Sequence, residues 1–346
     1  MQISIIIVVH NHRKDLERCL HSLNEHSLED TEIIVVDNAS TDGSHEMVKS
    51  KFPDVIYLHC DENLGFGHGN NHGASHARGD YLIFLNPDTV VTQNWQKPLI
   101  STLIDHSQIG LTTPKILHFD ETSSISACGL QIHLTGIGQC RGVGKQNQLF
   151  TQQEEVGAIH GAAFAIKKEV FEKIGGFDAP FFLYVEDSDI SWRARLAGYR
   201  CVYVPDSVVY HDYSLRFSPQ KLFYLERNRY LLLTKNLHWG TLFILLPALM
   251  LMELIGWGFV FLKDRKNWKN KALAYAWMIQ NWNEVLQKRW QVQQLRRITD
   301  RKLLSFSTHR LIYEQVKSPA LNHLAHWVLD PIFWVLKGLV SALVWW

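Results

Sequence analysis

The sequence predicts an α/β protein in which a doubly wound, mixed sheet is followed by a helical, membrane-associating carboxyl-terminal region. Short β-branched or aromatic runs alternate with helical stripes over the first half of the chain. This alternation is typical of a sheet with helices on both faces. The composition then changes near residue 215, since ten of the twelve tryptophans lie beyond residue 200.

The strands of the first half are predicted from their density of β-branched and aromatic residues. Residues 3–9, 32–36 and 55–58 give the first three strands, and the apolar run 81–85 gives the fourth. A run without polar alternation suits a strand that is buried on both faces, as in a parallel sheet. Apolar residues at helical spacing over 15–24 predict a helix between the first two strands.

The fourth strand stops at Asn86-Pro87-Asp88. Proline has no N–H for a sheet ladder, so the strand ends there and Asp88 lies just past its carboxyl edge. Ligands bind at that edge in open α/β sheets. A carboxylate in this position is suited to hold a hard divalent cation and, through it, a diphosphate. A turn that only reverses the chain would use the same residues.

A glycine-rich stretch over 62–73 predicts a loop that opens a helix reaching about Arg78. Glycines permit close approach of the backbone to a ligand, and Asn63 and Asn70 are placed to orient one. The glycines lack the GxGxxG spacing and follow the third strand rather than the first, which argues against a dinucleotide-dependent dehydrogenase. A flexible entry to the helix is the plainer interpretation.

A second polar cluster follows an apolar run near residue 185. Glu186, Asp187 and Asp189 are three carboxylates within four residues at the start of a predicted helix. One acid would suffice for a helix cap, so the additional acids favour chemistry. Arg193, four residues after Asp189, is predicted to be its ion-pair partner. His211 directly follows another apolar strand and is a candidate metal ligand.

Charge and cysteine content exclude several classes of protein. The chain has 35 Lys and Arg against 34 Asp and Glu, so no overall basic character favours nucleic acid as a partner. The five cysteines are scattered without CxxC spacing, which argues against structural zinc and for a reducing compartment. The amino terminus begins with a strand and lacks a basic leader, so the first half is expected in the cytosol.

Six motifs in chain order resemble those of family 2 glycosyltransferases, including bacterial rhamnosyltransferase-like members. The motifs are Val8-Val9-His10-Asn11, Val36-Asp37-Asn38-Ala39-Ser40-Thr41-Asp42, Asn63-Leu64-Gly65-Phe66, Leu85-Asn86-Pro87-Asp88, Gly175-Gly176-Phe177-Asp178 and Glu186-Asp187-Ser188-Asp189. The resemblance covers roughly residues 1–235. It implies the GT-A fold and inverting transfer from a nucleotide-diphosphate sugar with a divalent cation, Mg²⁺ or Mn²⁺.

The resemblance also assigns roles to individual residues. Asp37 would bind the base or ribose of the nucleotide. Asp88 and His211 would bind the cation, since Asn86 replaces the first acid of the Asp-X-Asp motif that many relatives carry. Asp187 would be the general base, and a low pKa is expected for a carboxylate at a helix N-terminus. Glu186 either shares this catalytic role or positions the acceptor. The other predicted nucleotide-sugar-binding residues are Val9, Asn11, Asn63, Gly65, Asn70 and Asn86.

The carboxyl-terminal third contains two apolar segments. Residues 241–262 include one acid, Glu253, and are long enough to cross a bilayer. Basic residues on both sides fit a single pass poorly, so a hairpin or an in-plane helix with both ends cytoplasmic fits better. Residues 321–346 form the second segment, with tryptophans at positions typical of an interfacial belt. A soluble helical subdomain or a dimer interface is the alternative.

These patterns predict a catalytic domain over 1–235, with a nucleotide-binding half (1–108) and an acceptor half (109–235), and a helical region over 236–346. Residues 109–150 are predicted to be an irregular excursion with a mobile loop. The expected function is transfer of a sugar, with rhamnose as a candidate, to a hydroxyl of a glycan or polyprenyl-linked acceptor in cell-surface polysaccharide synthesis. The expected location is the cytoplasmic face of the cell membrane, and a homodimer stays open.

Two other functions remain as alternatives. The first is a nucleotidyltransferase acting on sugar phosphates, which would need a basic, glycine-rich loop near the amino terminus. His10-Asn11-His12-Arg13 does not supply such a loop. The second is a non-catalytic module that recognises glycans.

Overall fold

The computed structural model describes residues 2–212, 219–263, 265–312, 323 and 325–346. These residues form two units. The first contains the described parts of 1–130, 140–194 and 199–215, and the second contains 131–139, 195–198 and the described parts of 216–346.

Strands and helices alternate from residue 3 to residue 211, as the sequence predicts. In chain order they are β1 (Ile3–Val9), α1 (Arg13–His26), β2 (Thr31–Asn38), α2 (Ser44–Lys51), β3 (Ile56–Cys60), α3 (Gly65–His76), β4 (Tyr81–Leu85), β5 (Thr89–Val91), α4 (Gln96–Asp105), β6 (Ile109–His118), β7 (Ile125–Ala127), β8 (Leu130–His133), β9 (Gly138–Cys140), β10 (Glu154–Glu155), β11 (Ala163–Lys167), α5 (Lys168–Lys173), α6 (Glu186–Leu196) and β12 (Arg200–His211). The predicted strands 3–9 and 81–85 are confirmed to the residue, and those at 32–36 and 55–58 lie at β2 and β3.

The main sheet is mixed, with the strand order β10-β12-β6-β11-β4-β1-β2-β3. The strands β3, β2, β1 and β4 run parallel, and β6 is parallel to β12. Between these two parallel groups lies β11, which is antiparallel to both β4 and β6. In this register Ala163, the first residue of β11, lies opposite Leu85, the last residue of β4. The end of one strand and the beginning of the other therefore meet at one edge.

The sheet is stabilised by a core that covers its first strands with α1 and α4. Ile5 and Ile83 of the sheet pack with Leu20 of α1 and Leu99 of α4, and all four side chains are inaccessible to solvent. Burying an aliphatic side chain of this kind contributes about 1.5–3 kcal/mol. A rigid core beneath the strand ends is what fixes the loops that follow β1, β2 and β4.

The glycine-rich stretch is a helix rather than the predicted loop, because its glycines are needed for packing. A Cβ atom at Gly69 would lie 2.8 Å from Cγ1 of Val8, and one at Gly73 would lie 2.5 Å from Cγ2 of Ile6. These glycines are four residues apart and so share one face of α3. The missing side chains let that face lie directly on β1.

Residues 109–150 are more regular than predicted. They begin with the ten-residue strand β6, which is buried almost throughout and pairs with β12. The sequence Thr112-Thr113-Pro114 interrupts the apolar run and conceals this strand from pattern analysis. Pro114 lies opposite Val204 of β12, and the pairing register shifts directly after Val204. Proline is tolerated beside such an irregularity.

The second unit contains the remaining helices and a small sheet. Its elements after residue 218 are α7 (Pro219–Asn236), α8 (Trp239–Lys263), α9 (Trp268–Gln280), α10 (Trp282–Gln294), α11 (Asp300–Ser305), β13 (Ser307–Thr308), a π-helical turn (Ala325–Leu329) and α12 (Asp330–Leu343). A three-stranded sheet has the order β13-β8-β9. Helix α7 packs against α9 and α10 and thus belongs to this unit, although the predicted catalytic domain extends to residue 235.

Two helical segments of the second unit are long and apolar enough to cross a membrane, judged by length and composition alone. They are Trp239–Leu262, with a mean hydropathy of 2.0, and His326–Leu343, with a mean hydropathy of 1.2. Only about a fifth of the first segment and a tenth of the second are buried within the protein (22% and 11%).

Candidate active site

The loops that follow β1 and β2 are held together by Asn11. The backbone N–H of Asn11 donates to the Ser40 hydroxyl at 3.0 Å, and its side-chain oxygen accepts from the Thr41 N–H at 2.8 Å. Asn11 adopts a left-handed φ of 57°, a conformation that asparagine tolerates better than most residues. The predicted ligand residue Asn11 therefore shapes the loops as well as standing at the strand edge.

Asp37 lies between these loops at the end of β2, where its side chain is almost fully buried. Its carboxylate accepts hydrogen bonds from the Ser40 N–H at 2.8 Å and the Tyr57 hydroxyl at 2.6 Å, and His59 Nδ1 lies 3.1 Å away. Burial alone would raise the pKa of Asp37, but these partners outweigh it and hold the pKa below its usual range. Asp37 is thus a fixed anion that presents its oxygens to a cavity.

That cavity has a volume of ≈ 410 Å³ and opens between β2, β3 and α2. It is lined by Asp37, Ser40, Thr41, Gly43, Ser44, His45, Glu46 and His59. Hydroxyls, a carboxylate and imidazoles suit the base and ribose of a nucleotide. Tyr57 and His59 were not predicted as site residues. Their alternate positions on β3 place both side chains on one face, which is the signal that could have found them.

Asp88 and His211 form a close pair on neighbouring strands. Asp88 immediately precedes β5, and His211 is the last residue of β12, where it pairs with Thr89. Oδ1 of Asp88 lies 3.3 Å from Nε2 of His211. Burial alone would raise the pKa of Asp88, but the imidazole outweighs it and holds that pKa below its usual range. The predicted juxtaposition of Asp88 and His211 is present in the structure.

The pair fits a divalent cation that takes further ligands from its substrate. Two donors on one octahedral ion with bonds of about 2.1 Å lie about 3 Å apart, close to the observed separation of Asp88 and His211. Carboxylate oxygen and imidazole nitrogen both ligate Mn²⁺ and Mg²⁺, although Mg²⁺ prefers oxygen. Within the described residues, no group of three or more His, Cys, Asp or Glu side chains is arranged to hold a metal ion. Phosphate oxygens would have to complete the coordination.

His160 links this pair to the acidic cluster. Its ring centroid lies 6.0 Å from that of His211, edge to face. Its Nδ1 accepts from the Ala162 N–H at 3.1 Å, so the neutral ring carries its proton on Nε2. Burial, and then the nearby His211, lower the pKa of His160 to about 3, which keeps the ring neutral. His160 was not predicted as a site residue.

Asp187 is joined to the same strand start through Gly161. The Gly161 N–H donates to Oδ2 of Asp187 at 3.1 Å, and the Ser188 N–H donates to Oδ1 at 2.6 Å. A Cβ at Gly161 would lie 3.3 Å from Oδ2 of Asp187, so a side chain there would crowd the carboxylate. The chain of contacts Asp88–His211–His160–Gly161–Asp187 gathers the predicted metal pair and the predicted base at one edge of the sheet.

The expectation of a low pKa for Asp187 is wrong. Burial raises the pKa of Asp187 despite its two backbone hydrogen bonds and its place at the start of α6. Burial, and then the adjacent Asp187, also raise the pKa of Glu186. Two buried carboxyl groups that are neighbours in sequence cannot both ionise cheaply, and this outweighs the helix dipole. Oε2 of Glu186 is buried and has no hydrogen-bond partner among the residues that the structure describes.

The predicted partner of Asp189 is confirmed. Nε of Arg193 donates to Oδ2 of Asp189 at 2.7 Å, and both side chains are buried. The guanidinium also donates to the Ile174 carbonyl at 2.6 Å. This pair anchors α6 to the chain beyond α5, so Asp189 has a structural role.

The segment before α6 is conformationally strained. Phe182, Tyr184 and Val185 all have left-handed φ values, of 56°, 70° and 71°. Such values are unusual for bulky residues and for a β-branched valine in particular, and strain of this kind clusters at functional sites. The strained residues lead directly into Glu186.

Several other predicted ligand residues have local structural partners. Asn63 accepts from the Gly65 N–H at 2.9 Å, which fixes the turn before α3. A Cβ at Gly65 would lie 2.5 Å from the Phe182 carbonyl oxygen, so glycine is required there. Asn70 is buried and donates to the Phe66 carbonyl at 2.9 Å. These contacts account for the three residues without a ligand.

Val9 and Asn86 stand at strand ends. The Val9 side chain is fully buried in the core, so only its backbone is available to a ligand. The Asn86 N–H donates to the Ala162 carbonyl at 2.9 Å, and its own carbonyl accepts from the Thr89 hydroxyl at 2.6 Å. These backbone bonds fix the turn that presents Asp88. The Asn86 side chain is half-buried and stays a candidate ligand.

The chain has the GT-A fold of the solved glycosyltransferase structures that it resembles. GalNAc-T7, solved with UDP, GalNAc and Mn²⁺, gives a TM-score of 0.57 at 21% identity over 68% of this chain and 48% of that one. The mannosyltransferase PcManGT of Pyrobaculum calidifontis, solved with GDP-Man and Mn²⁺, gives 0.51 at 16% identity over 99% and 85%. TarS of S. aureus (residues 1–349), solved with UDP, gives 0.51 at 14% identity over 98% and 90%.

Family models and sequence relatives agree with the fold. The model of glycosyl transferase family 2 matches residues 4–175, and that of glycosyl transferase family group 2 matches residues 141–346. The chain therefore belongs to the family 2 glycosyltransferases and is a glycosyltransferase.

Two named relatives show modest identity. The N-acetylglucosaminyl-diphospho-decaprenol L-rhamnosyltransferase of Mycobacterium tuberculosis is 27% identical over 234 residues, which are 60% of this chain and 75% of the relative. The poly-β-1,6-N-acetyl-D-glucosamine synthase of Staphylococcus aureus is 27% identical over 207 residues. The match spans 59% of this chain and about half (48%) of that synthase.

Proposed function

We propose that this glycosyltransferase moves a sugar from a nucleotide-diphosphate sugar to a hydroxyl of a glycan or lipid-linked acceptor, with inversion at the anomeric carbon. Rhamnose is the proposed sugar and a polyprenyl-diphosphate-linked saccharide is the proposed acceptor. Both follow from the name of the mycobacterial relative. Membership of the family favours this reaction over nucleotidyl transfer and over a binding module without activity.

One observation carries the proposal. The Asp88–His211 pair and Asp187 belong to a single chain of contacts through His160 and Gly161. A leaving diphosphate and an attacking hydroxyl must occupy opposite sides of one anomeric carbon. A cation-binding pair and a base at one sheet edge provide for both.

Asp37 and its cavity are proposed to bind the nucleoside of the donor. The cavity adjoins the Asn11–Thr41 contact, which lies between the strand ends of β1 and β2. Asp88 and His211 would hold the divalent cation. That cation supplies positive charge that offsets the charge developing on the departing diphosphate.

Asp187 is proposed to act as the general base. Its carboxylate takes the proton of the acceptor hydroxyl as the oxygen forms the new bond to the anomeric carbon. The bond from that carbon to the diphosphate oxygen breaks, and its electron pair leaves with the diphosphate. Gly161 and Ser188 hold the Asp187 carboxylate in place through their backbone N–H groups. A raised pKa makes the ionised carboxylate a stronger base than an ordinary aspartate.

Glu186 is proposed to position the acceptor. A raised pKa keeps it protonated over a wider pH range, so it can donate a hydrogen bond to an acceptor oxygen. The strained backbone from Phe182 to Val185 fixes where this residue enters α6.

We also propose that the enzyme acts at the cytoplasmic face of the cell membrane, where a lipid-linked acceptor is anchored. A homodimer remains a prediction.

The test is a thermal-shift panel of UDP-, GDP- and dTDP-sugars, with and without Mn²⁺ or Mg²⁺. A cognate donor at about 100 times its Kd should stabilise the protein by about 2.7 kcal/mol. Asp37→Ala should lose this shift, and Asp54→Ala, at an exposed aspartate away from the cavity, should keep it. Product formation with the donor so identified, and the anomeric configuration by NMR, complete the test. No shift with any donor, or retention at the anomeric carbon, would refute the proposal.

A further inference from the structure

Helix α8 exposes a continuous apolar stripe. Phe243, Leu246, Met250, Leu254 and Phe261 are between 44% and 73% exposed. Their spacing of three, four, four and seven residues places them along one side of the helix. Single exposed apolar side chains are ordinary, but a row that runs the length of a 25-residue helix is not.

Helix α12 carries a second stripe. Val328 of the preceding turn and Ile332, Val335, Leu339 and Leu343 are between 41% and 54% exposed and also follow helical spacing. The opposite side of α12 is buried at Phe333 and Val340. Helices α8 and α12 pack against each other. We call the exposed apolar side chains of these two helices the apolar platform.

A largely buried polar network holds α8 on one flank of its stripe, where Glu253 lies seven residues after Leu246. Glu253, near the middle of the helix, accepts hydrogen bonds from Arg229 at 2.5 Å and from Tyr275 at 2.5 Å. The Tyr230 hydroxyl also donates to it, and Nζ of Lys271 lies 3.1 Å away. Arg229 and Tyr230 belong to α7, while Lys271 and Tyr275 belong to α9.

This network determines how α8 can meet a bilayer. If α8 crossed the membrane, Glu253 would lie near mid-depth and would carry Arg229 and Lys271 with it. Glu226 of α7 would follow, since it lies 2.9 Å from both cations. Charged groups at mid-depth are costly, and removing one partner from a buried pair leaves the other uncompensated. A helix that exposes an apolar stripe and holds a charged network at mid-length instead lies in the plane of the interface.

The charge of the surrounding chain identifies the lipid. Residues 236–346 contain 14 Lys and Arg against six Asp and Glu, whereas the whole chain is nearly neutral. Arg265, Lys266 and Lys269 follow α8 directly and are exposed. Cations at the rim of an apolar face are attracted to anionic headgroups. Exposed Trp327 and Trp334 add the side chains that favour the headgroup region.

We propose that α8 and α12 lie flat in the surface of an anionic bilayer, with the apolar platform in the acyl boundary and neither helix crossing the membrane. The inference deepens the proposed membrane location and rests on it for its biological meaning. A second copy of the chain is the other occupant that an apolar surface could take, and the experiments below distinguish the two.

The first experiment is flotation of the full-length protein with vesicles of phosphatidylcholine, with or without phosphatidylglycerol. Binding should require phosphatidylglycerol and weaken at high salt. The variant M250E/L254E should bind at least about tenfold more weakly. The matched control Leu149→Glu, at an exposed leucine of the first unit, should bind like the wild type. A lipid-free dimer that breaks in M250E/L254E, with no vesicle binding by the wild type, would overturn the proposal.

The second experiment measures depth in the bilayer by spin labelling. The labelled positions are L246C, M250C, L254C and F261C in a C140S background, since the other native cysteines are buried. Leu246 and Phe261 are separated by about 22 Å along the helix axis. An in-plane helix places all four labels at similar, shallow depths. A difference in depth of about 20 Å between the ends, or a maximum at mid-helix, would show a crossing helix and overturn the proposal.

Both experiments use protein and phospholipid alone, with no sugar donor or acceptor. The donor-induced thermal shift is measured on the same variants. If membrane binding fails and the donor shift persists, the in-plane inference is wrong while the proposed donor chemistry stands. If the donor-induced thermal shift is absent and flotation persists, the proposed donor chemistry is wrong while the in-plane inference stands.

Discussion

Replacing Asp187 by asparagine separates the proposed chemistry from binding. The side chain keeps its shape but loses its ability to take a proton. Loss of a general base lowers the rate by about 10²–10⁴-fold, which is about 3–5 kcal/mol of transition-state free energy. We therefore expect kcat of Asp187→Asn to fall by that factor, while the donor-induced thermal shift is retained.

The structure also predicts what happens to the stability of Asp187→Asn. The two carboxylate oxygens accept from the Gly161 and Ser188 N–H groups, and asparagine keeps only one such acceptor. The lost hydrogen bond costs about 1–3 kcal/mol. Removal of a buried carboxylate next to Glu186 offsets this cost. The net change in Tm should be within a few degrees. A change of about 1 kcal/mol in the free energy of unfolding shifts Tm by that much in a domain of this size.

The assay is sugar transfer under saturating donor, followed across pH. Because the base must be ionised, wild-type kcat/KM should fall on acidification, at a pH above the ordinary aspartate value of about 3.9. The matched variant Glu186→Gln should keep this acid limb and change chiefly the KM for acceptor. If Asp187→Asn turns over within about threefold of the wild type, Asp187 is not the base and the mechanism fails.

Three further outcomes follow from individual contacts. His211→Ala should abolish the part of the donor thermal shift that depends on Mn²⁺, whereas His68→Ala, at an exposed histidine, should preserve it. Glu186→Gln should raise Tm at neutral pH, by the equivalent of about 1 kcal/mol. Because the pKa of Glu186 is raised in the folded state, the wild type loses stability as the pH rises through that pKa. The Tm advantage of Glu186→Gln should therefore grow between about pH 5 and pH 9. Gly73→Ala should destabilise the fold by about 1–3 kcal/mol through overpacking. By contrast, Gly338→Ala, whose added Cβ would have no atom of the described residues within 4 Å, should be neutral or gain up to about 1 kcal/mol.

The contradictory results for these variants are equally specific. An unchanged Mn²⁺ effect in His211→Ala would remove His211 from the cation site. A Tm difference independent of pH for Glu186→Gln would mean that its ionisation is not coupled to folding. A stable Gly73→Ala would show that α3 can move away from the sheet, and denaturant unfolding at equilibrium measures this directly.

The central strands and the strand-edge residues could be predicted from sequence because each rests on a local pattern. Residues 3–9 and 81–85 are apolar without interruption, and Pro87 marks where the second of these runs must end. Asp88 and His211 each follow an apolar strand, which marks both as candidate ligands from burial and chain chemistry alone. Their pairing at one cation was implied by the resemblance to family 2 glycosyltransferases.

Other features depend on contacts that no local pattern displays. The glycines of α3 suggest a loop until the side chains of Ile6 and Val8 are seen to fill the space above them. The pKa of Asp187 looks low from its helix position alone and is raised because the three-dimensional surroundings bury it. The role of His160 depends on β11 running antiparallel beside β4, which pairs residues far apart in sequence.

The antiparallel direction of β11 affects how enzymes with this fold can change during evolution. The start of β11 meets the end of β4, so the segment that enters β11 delivers His160 and Gly161 beside the turn at Asn86, to which it is bonded through the Ala162 carbonyl. Insertions or exchanges before residue 157 can therefore remodel one wall of the proposed active site while the loops after β1 and β2 keep their sequence. Under the proposed mechanism, a single scaffold can in this way acquire new acceptors and retain its old donor.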